Sequence, residues 1–127
     1  MPLVRITLSQ DCAVARRRAL ADAVHQALVE TANVPANDRF QVIEAVTGDL
    51  IFSESYLGIE HTGPVAFIQI TLNQGRTPEV KQALFARLAE GAVAAGFRRE
   101  DVIVSLVEVA RENWSFGNGQ MSYPPGR

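Results

Sequence analysis

Pro2, second in the opening Met1-Pro2-Leu3, is the residue with the least ordinary chemistry in this chain. Initiator methionine is readily removed before a residue as small as proline, and the product is a secondary amine at the start of a rigid strand. Such an amine acts as a general base if its pKa is lowered, and as a cationic acid or Schiff-base nucleophile if it is not. A proline that merely begins a strand is the plain alternative. Arg76, in Asn73-Gln74-Gly75-Arg76, stands between a strand and a helix start, where a guanidinium can meet a carboxylate as a two-pronged donor. Its ordinary reading is a solvated loop arginine. Asp38 follows Pro35 in a tight segment, where an aspartate commonly satisfies turn or N-cap donors. Arg39 beside it pairs with Asp38, with a substrate or with water. Trp114, Phe116 and Tyr123 form an aromatic set near the C-terminus, the residue type that packs cores and subunit interfaces.

These groups need elements to hold them, and the sequence supplies the same elements twice. Arg5-Ile6-Thr7-Leu8-Ser9-Gln10 is matched 64 residues later by Gln69-Ile70-Thr71-Leu72-Asn73-Gln74. Asp38 and Asp101, each preceding a β-branched or aromatic run, stand 63 apart, so the halves read as tandem relatives. In the first, the aliphatic run Leu3 to Leu8 predicts a strand. Leu20, Val24, Ala27, Leu28 and Thr31 at helical spacing predict a helix from about Val14 to Thr31. The stretch Asn33-Val34-Pro35-Ala36-Asn37 breaks it, and Phe40 to Val46 resumes as a strand. In the second half, Val65 to Leu72 reads as a strand, and Thr77 with Pro78 as an N-cap followed by proline in the first helical position. Val80, Leu84, Leu88 and Ala92 form a stripe, Gly96 is placed to end the helix, and Val102 to Val109 closes the unit.

Two β-α-β units, whose crossovers are right-handed, predict an α/β fold: a four-stranded sheet with both helices on one face. The expected organisation is a single domain, with repeat one about 2–46, a connector 47–64, repeat two about 65–109 and a tail 110–127. The tail is rich in Gly, Pro and aromatic residues and is expected to gain order only by packing on something else, such as a neighbouring subunit.

Composition narrows the function classes. The 127 residues suit one domain. A net charge of −2, with no long basic run, argues against nucleic acid as a partner. The lone cysteine, Cys12, forms no internal disulfide, and no Cys/His spacing suits a metal, so no cofactor is expected. No apolar run approaches the roughly 18 residues of a membrane span. The start lacks the features of a secretory signal, and a cytoplasmic protein without membrane contact is the expectation. His25 and His61 carry no ligand pattern, although His61, in the connector, has the freedom to approach a site.

The β-α-β repeat beginning at Met-Pro, the segment Val34-Pro35 followed by Asp38-Arg39-Phe40-Gln41, and Trp114-Ser115-Phe116-Gly117 together resemble the tautomerase superfamily. Within it the chain is most similar to the malonate semialdehyde decarboxylase family. The resemblance implies two fused units, a homotrimer and catalysis by the N-terminal proline, here Pro2. It makes Asp38 a polar catalytic group beside the amine and places Trp114 and Phe116 on the pocket wall. The family's motif has two arginines separated by one residue; Arg76 matches the second, and Gln74 stands where the first would be. The implied substrate is a small 2-oxo or 3-oxo acid, held by Arg76. The implied reaction is keto-enol tautomerisation or decarboxylation of a β-keto acid such as malonate semialdehyde. A neutral amide at Gln74 favours the former. A non-catalytic trimer on the same scaffold is the alternative from another class.

Overall fold

The computed structural model describes residues 2–126. Its elements run β1 (Leu3–Ser9), α1 (Val14–Thr31), β2 (Phe40–Val46), β3 (Ser55–Tyr56), β4 (Ile59–Glu60), β5 (Ala66–Asn73), α2 (Pro78–Ala94) and β6 (Val102–Val109). Four strands form one sheet in the order β2-β1-β5-β6. β1 is parallel to β2, β5 is parallel to β6, and β1 and β5 meet antiparallel in the middle. Both helices pack on one face, as the two β-α-β units require. Among the described residues no helix is long and apolar enough to cross a membrane.

The register shows how the two repeats share one sheet. Arg5 and Gln69 are equivalent in the repeat and are also partners across β1 and β5, so a pseudo-twofold axis passes between them. Each half therefore finishes the other's sheet. Val4, Ile6 and Leu8 from β1, Ile68, Ile70 and Leu72 from β5, Leu20, Val24 and Leu28 from α1, and Leu84 and Leu88 from α2 are buried to 1% exposure or less. Their period of two on the strands and of three to four on the helices is what lets one layer cover the other.

Local signals act where they stand. The Thr77 hydroxyl accepts from Val80 N at 3.2 Å with Pro78 in the first turn, and Gly96 at φ +96° stops the chain after α2. The connector holds more than the sequence suggested: β3 and β4 form a two-stranded hairpin about Leu57-Gly58. Two-residue strands are too short to carry a periodic signal.

Gly91 of α2 lies against Ala23 of α1, and a Cβ built on it would sit 2.8 Å from the Ala23 Cβ. Alanine in place of glycine normally strengthens a helix by about 1 kcal/mol. Here overpacking outweighs that gain, and Gly91→Ala is expected to destabilise by about 1–2 kcal/mol. A thermal midpoint equal to or above that of the parent would show that the helices separate without cost.

Candidate active site

One end of the sheet gathers the starts of β1 and β2 and the ends of β5 and β6. Leu3 pairs with both Phe40 and Thr71, and Asn73 pairs with Val109. Pro2, one residue before β1, is therefore set between the segment leading into β2 and the last residues of β5, and its side chain is buried. Met1, whose removal would free the Pro2 amine, lies outside the described residues.

The tail packs over this end of its own chain. Trp114 Nε1 donates to Asn73 Oδ1 at 2.7 Å, and Ser122 N donates to Trp114 O at 3.0 Å. Phe116 N donates to Ser122 Oγ at 2.9 Å, which folds the tail into a closed loop. Phe116 stacks on Trp114 with centroids 5.2 Å apart, lies 5.2 Å from Phe40 and meets Tyr123 edge-on at 6.0 Å. The aromatic set thus forms a wall joined to the start of β2 and the end of β5.

Asp38 is half-buried at the end of a turn in which its own N–H donates to Pro35 O at 3.0 Å. Its carboxylate acts electrostatically on Tyr123, whose phenol pKa is raised, first by burial and then by Asp38, with Arg111 opposing. Burial and a nearby anion both favour the neutral phenol, so Tyr123 remains an O–H donor at neutral pH. A raised folded-state pKa means the stability this phenol contributes is present below pH 10 and lost as pH rises past that pKa. Subtracting the ultraviolet titration of Tyr123→Phe from that of the parent should give a midpoint above the ordinary 10.0; a midpoint at or below it would contradict this environment.

Arg76 sits here too, but its fork points largely at the main chain. Nε and Nη2 donate to Ala32 O at 3.1 and 2.8 Å, and Nη1 to Asn73 O at 3.2 Å. Burial lowers its pKa, with Glu108 acting the other way. Ala32 is the C-cap of α1, so Arg76 ties the end of that helix to the end of β5. Three of its five N–H groups are thereby engaged, and the two-pronged clamp expected from the sequence is directed at a carbonyl.

Arg39 turns away from Asp38. It pairs with Asp22 of α1 at 2.6 Å and donates to Gln41 Oε1 at 2.9 Å, tying β2 to the helix layer. Gln74 donates its main-chain N–H to Val109 O at 2.9 Å and has an exposed side chain. His61 lies at the opposite end, its Nδ1 2.7 Å from Ser53 O beside Phe52, and takes no part in this cluster. His25 Nε2 holds Ala36 O at 2.9 Å, and Cys12 is buried with a free thiol.

Three residues of this end were not singled out by the sequence. Phe40 backs Phe116, Asn73 joins the Arg76 and Trp114 contacts, and Arg111 places its Cζ 4.6 Å from the Tyr123 centroid. Asn73 had one available signal: it replaces Ser9 of the first repeat at a strand end.

A cavity of about 360 Å³ lies at the other end of the sheet, lined by Phe52, Tyr56, Phe67 and Ile103 among others. It is a poor candidate for catalysis. The pseudo-twofold axis maps Pro2 onto Ala66 there, which is internal to the chain and has no free amine.

Two family models, each described as tautomerase enzyme, match residues 38–117 and 2–52. The chain is 37% identical to "Probable tautomerase YusQ" of Bacillus subtilis (strain 168), over 94% of this chain and 96% of the relative. The structure of FG41 malonate semialdehyde decarboxylase inhibited by 3-bromopropiolate is 41% identical, with a TM-score of 0.90 over 95% of this chain and 93% of the other. A fused 4-OT protein, a symmetric trimer, is 25% identical with a TM-score of 0.79, over 98% of this chain and 99% of the other. With the fused β-α-β pair, its central pseudo-twofold register and these matches in sequence and fold, the chain belongs to the tautomerase superfamily of enzymes.

Proposed function

We propose that the protein catalyses keto-enol tautomerisation of a small oxo acid, with the Pro2 amine, freed by removal of Met1, as the proton carrier. The observation that carries this reading is the burial of Pro2 at the sheet end that also holds Asp38 and the wall of Trp114, Phe116 and Tyr123. An amine beside apolar rings loses hydration, which favours its neutral, basic form; Asp38 acts in the opposite sense. In the neutral state Pro2 takes a proton from the enol hydroxyl or from the carbon next to the carbonyl and returns it at the other position, with no net change in atoms. The Tyr123 phenol and the Gln74 amide supply neutral donors to the substrate's oxygens, and Arg76 offers its two remaining N–H groups. No cofactor is required for this chemistry.

The working form we propose is a cytoplasmic homotrimer. Phe40, Val42 and Val107 are 38–45% exposed, and Val42 and Val107 alternate with the core-facing Ile43 and Leu106. The sheet face away from the helices is thus mixed, apolar at Phe40, Val42 and Val107 and polar at Arg5, Glu44 and Gln69; its exposed apolar residues suit subunit contact, and the fused 4-OT relative is a trimer.

The 41% identity to a malonate semialdehyde decarboxylase favours a second reading, in which cationic Pro2 polarises the carbonyl of a β-keto acid while carbon dioxide leaves. The charge of the amine separates the two. Intact-mass measurement should first show a chain lacking Met1; quantitative retention would turn the proposal toward a non-catalytic scaffold. Nitrogen NMR titration of Pro2 is then expected to give a pKa below neutrality, and a value well above it would replace the tautomerase reading by the decarboxylase one.

A further inference from the structure

Among the described residues, four cations stand at the Pro2 end of the sheet, and three have defined partners. Arg39 pairs with Asp22, Lys81 of α2 pairs with Glu108 at 2.8 Å, and Arg76 bonds the carbonyls of Ala32 and Asn73. Arg111 differs. It begins the short 3-10 turn Arg111–Asn113 just beyond β6 and lies over the Tyr123 ring with its Cζ 4.6 Å from the centroid. Among the described residues it makes no hydrogen bond or ion pair. A guanidinium over an aromatic face is held by its π surface while its N–H groups remain available for an anion. Tyr123 is in turn packed edge-on against Phe116 of the wall.

We propose that Arg111 binds a second carboxylate, so that the preferred substrates are oxo diacids. The proposal rests on the Pro2 reading above and names the substrate class of that same site. Gln74 leaves Arg76 as the charged donor of the strand-to-helix turn, and Arg76 is largely engaged by the main chain. Arg111 is the cation whose full donor set is open. An acid bearing a carboxylate at each end would meet neutral donors and the residual Arg76 N–H groups at its oxo-acid end, and Arg111 at its far end.

The test is a ratio. Ketonisation of enol oxaloacetate, a diacid, is compared with that of the enol of phenylpyruvate, a monoacid, in the parent, Arg111→Met and Arg111→Lys. Met keeps much of the stem's packing on Tyr123 and removes the charge. The diacid-to-monoacid ratio of kcat/KM is expected to fall about ten-fold in Arg111→Met, chiefly through KM for the diacid, and to recover in part in Arg111→Lys. An unchanged ratio, with both substrates affected alike, would overturn the proposal and leave Arg111 as a clamp on the tail. If the parent turns over neither enol, the Pro2 reading fails separately, and Arg111 is judged by binding alone. Trp114 is the one tryptophan of the chain. Quenching of its fluorescence by succinate in the parent but not in Arg111→Met supports the proposal, and equal quenching overturns it.

Discussion

Pro2→Ala is expected to lower kcat/KM for an enolpyruvate by about a hundred-fold or more, within the range that a positioned proton carrier supplies. Alanine is small enough for methionine to be removed before it, so the variant still presents an amine at the same place in the chain. What changes is its nature. The pyrrolidine ring fixes the nitrogen relative to β1, which begins one residue later at Leu3, whereas a primary amine on a single bond rotates. Misplacing a reacting group by about 1 Å can cost a hundred-fold in rate. Steady-state assays of parent and variant check this, with circular dichroism to confirm that the sheet survives, since the Pro2 side chain is buried. Full activity in Pro2→Ala would remove Pro2 from the mechanism.

Asp101→Ala should have the largest effect on stability, about 2–3 kcal/mol, which for a chain of this length lowers the thermal midpoint by about 8–12 °C. Asp101 is 1% exposed. One carboxylate oxygen accepts the Thr62 N–H at 3.0 Å, and the other lies 3.3 Å from Arg98 Nη1. The first contact fastens the connector to the start of β6; its loss strands a main-chain donor in a half-buried setting, and this accounts for most of the expected cost. The ion pair adds less, because Arg98 is 45% exposed and water screens it. Asp101→Asn, which retains an acceptor for Thr62, should be milder. Equal midpoints for parent and Asp101→Ala, measured by calorimetry, would contradict this account.

The same comparison bears on Asp38, its partner in the repeat. Asp101 anchors Thr62 of the connector, whereas Asp38 faces Tyr123 at the end of the sheet that begins with Pro2. Two residues equivalent in sequence thus have different surroundings, because the connector meets Asp101 and the tail meets Asp38.

The sequence by itself determined the elements and their pairing into two units. Val14 to Thr31, Phe40 to Val46 and Val102 to Val109 coincide with α1, β2 and β6, because apolar periodicity and the breaks at Pro35 and Gly96 are local properties that the final fold only had to respect. The third strand was displaced by one residue, from 65–72 to Ala66–Asn73, since a strand's end depends on its partner's length. The hairpin of β3 and β4 left no trace at all. The composition of the candidate site was legible in part, as a set of residue types: Pro2, Asp38, Trp114, Phe116 and Tyr123 are brought to one end. How the charged groups are used was decided only by the tertiary structure. A guanidinium reaches several ångströms in many directions, and nothing in its neighbours in sequence says that Arg76 will bond Ala32 O, that Arg39 will choose Asp22, or that Arg111 will lie over Tyr123. Those choices are made by residues from 12 to 44 positions away, and the most distant of them, Arg76 with Ala32, forms only once both halves have closed on each other.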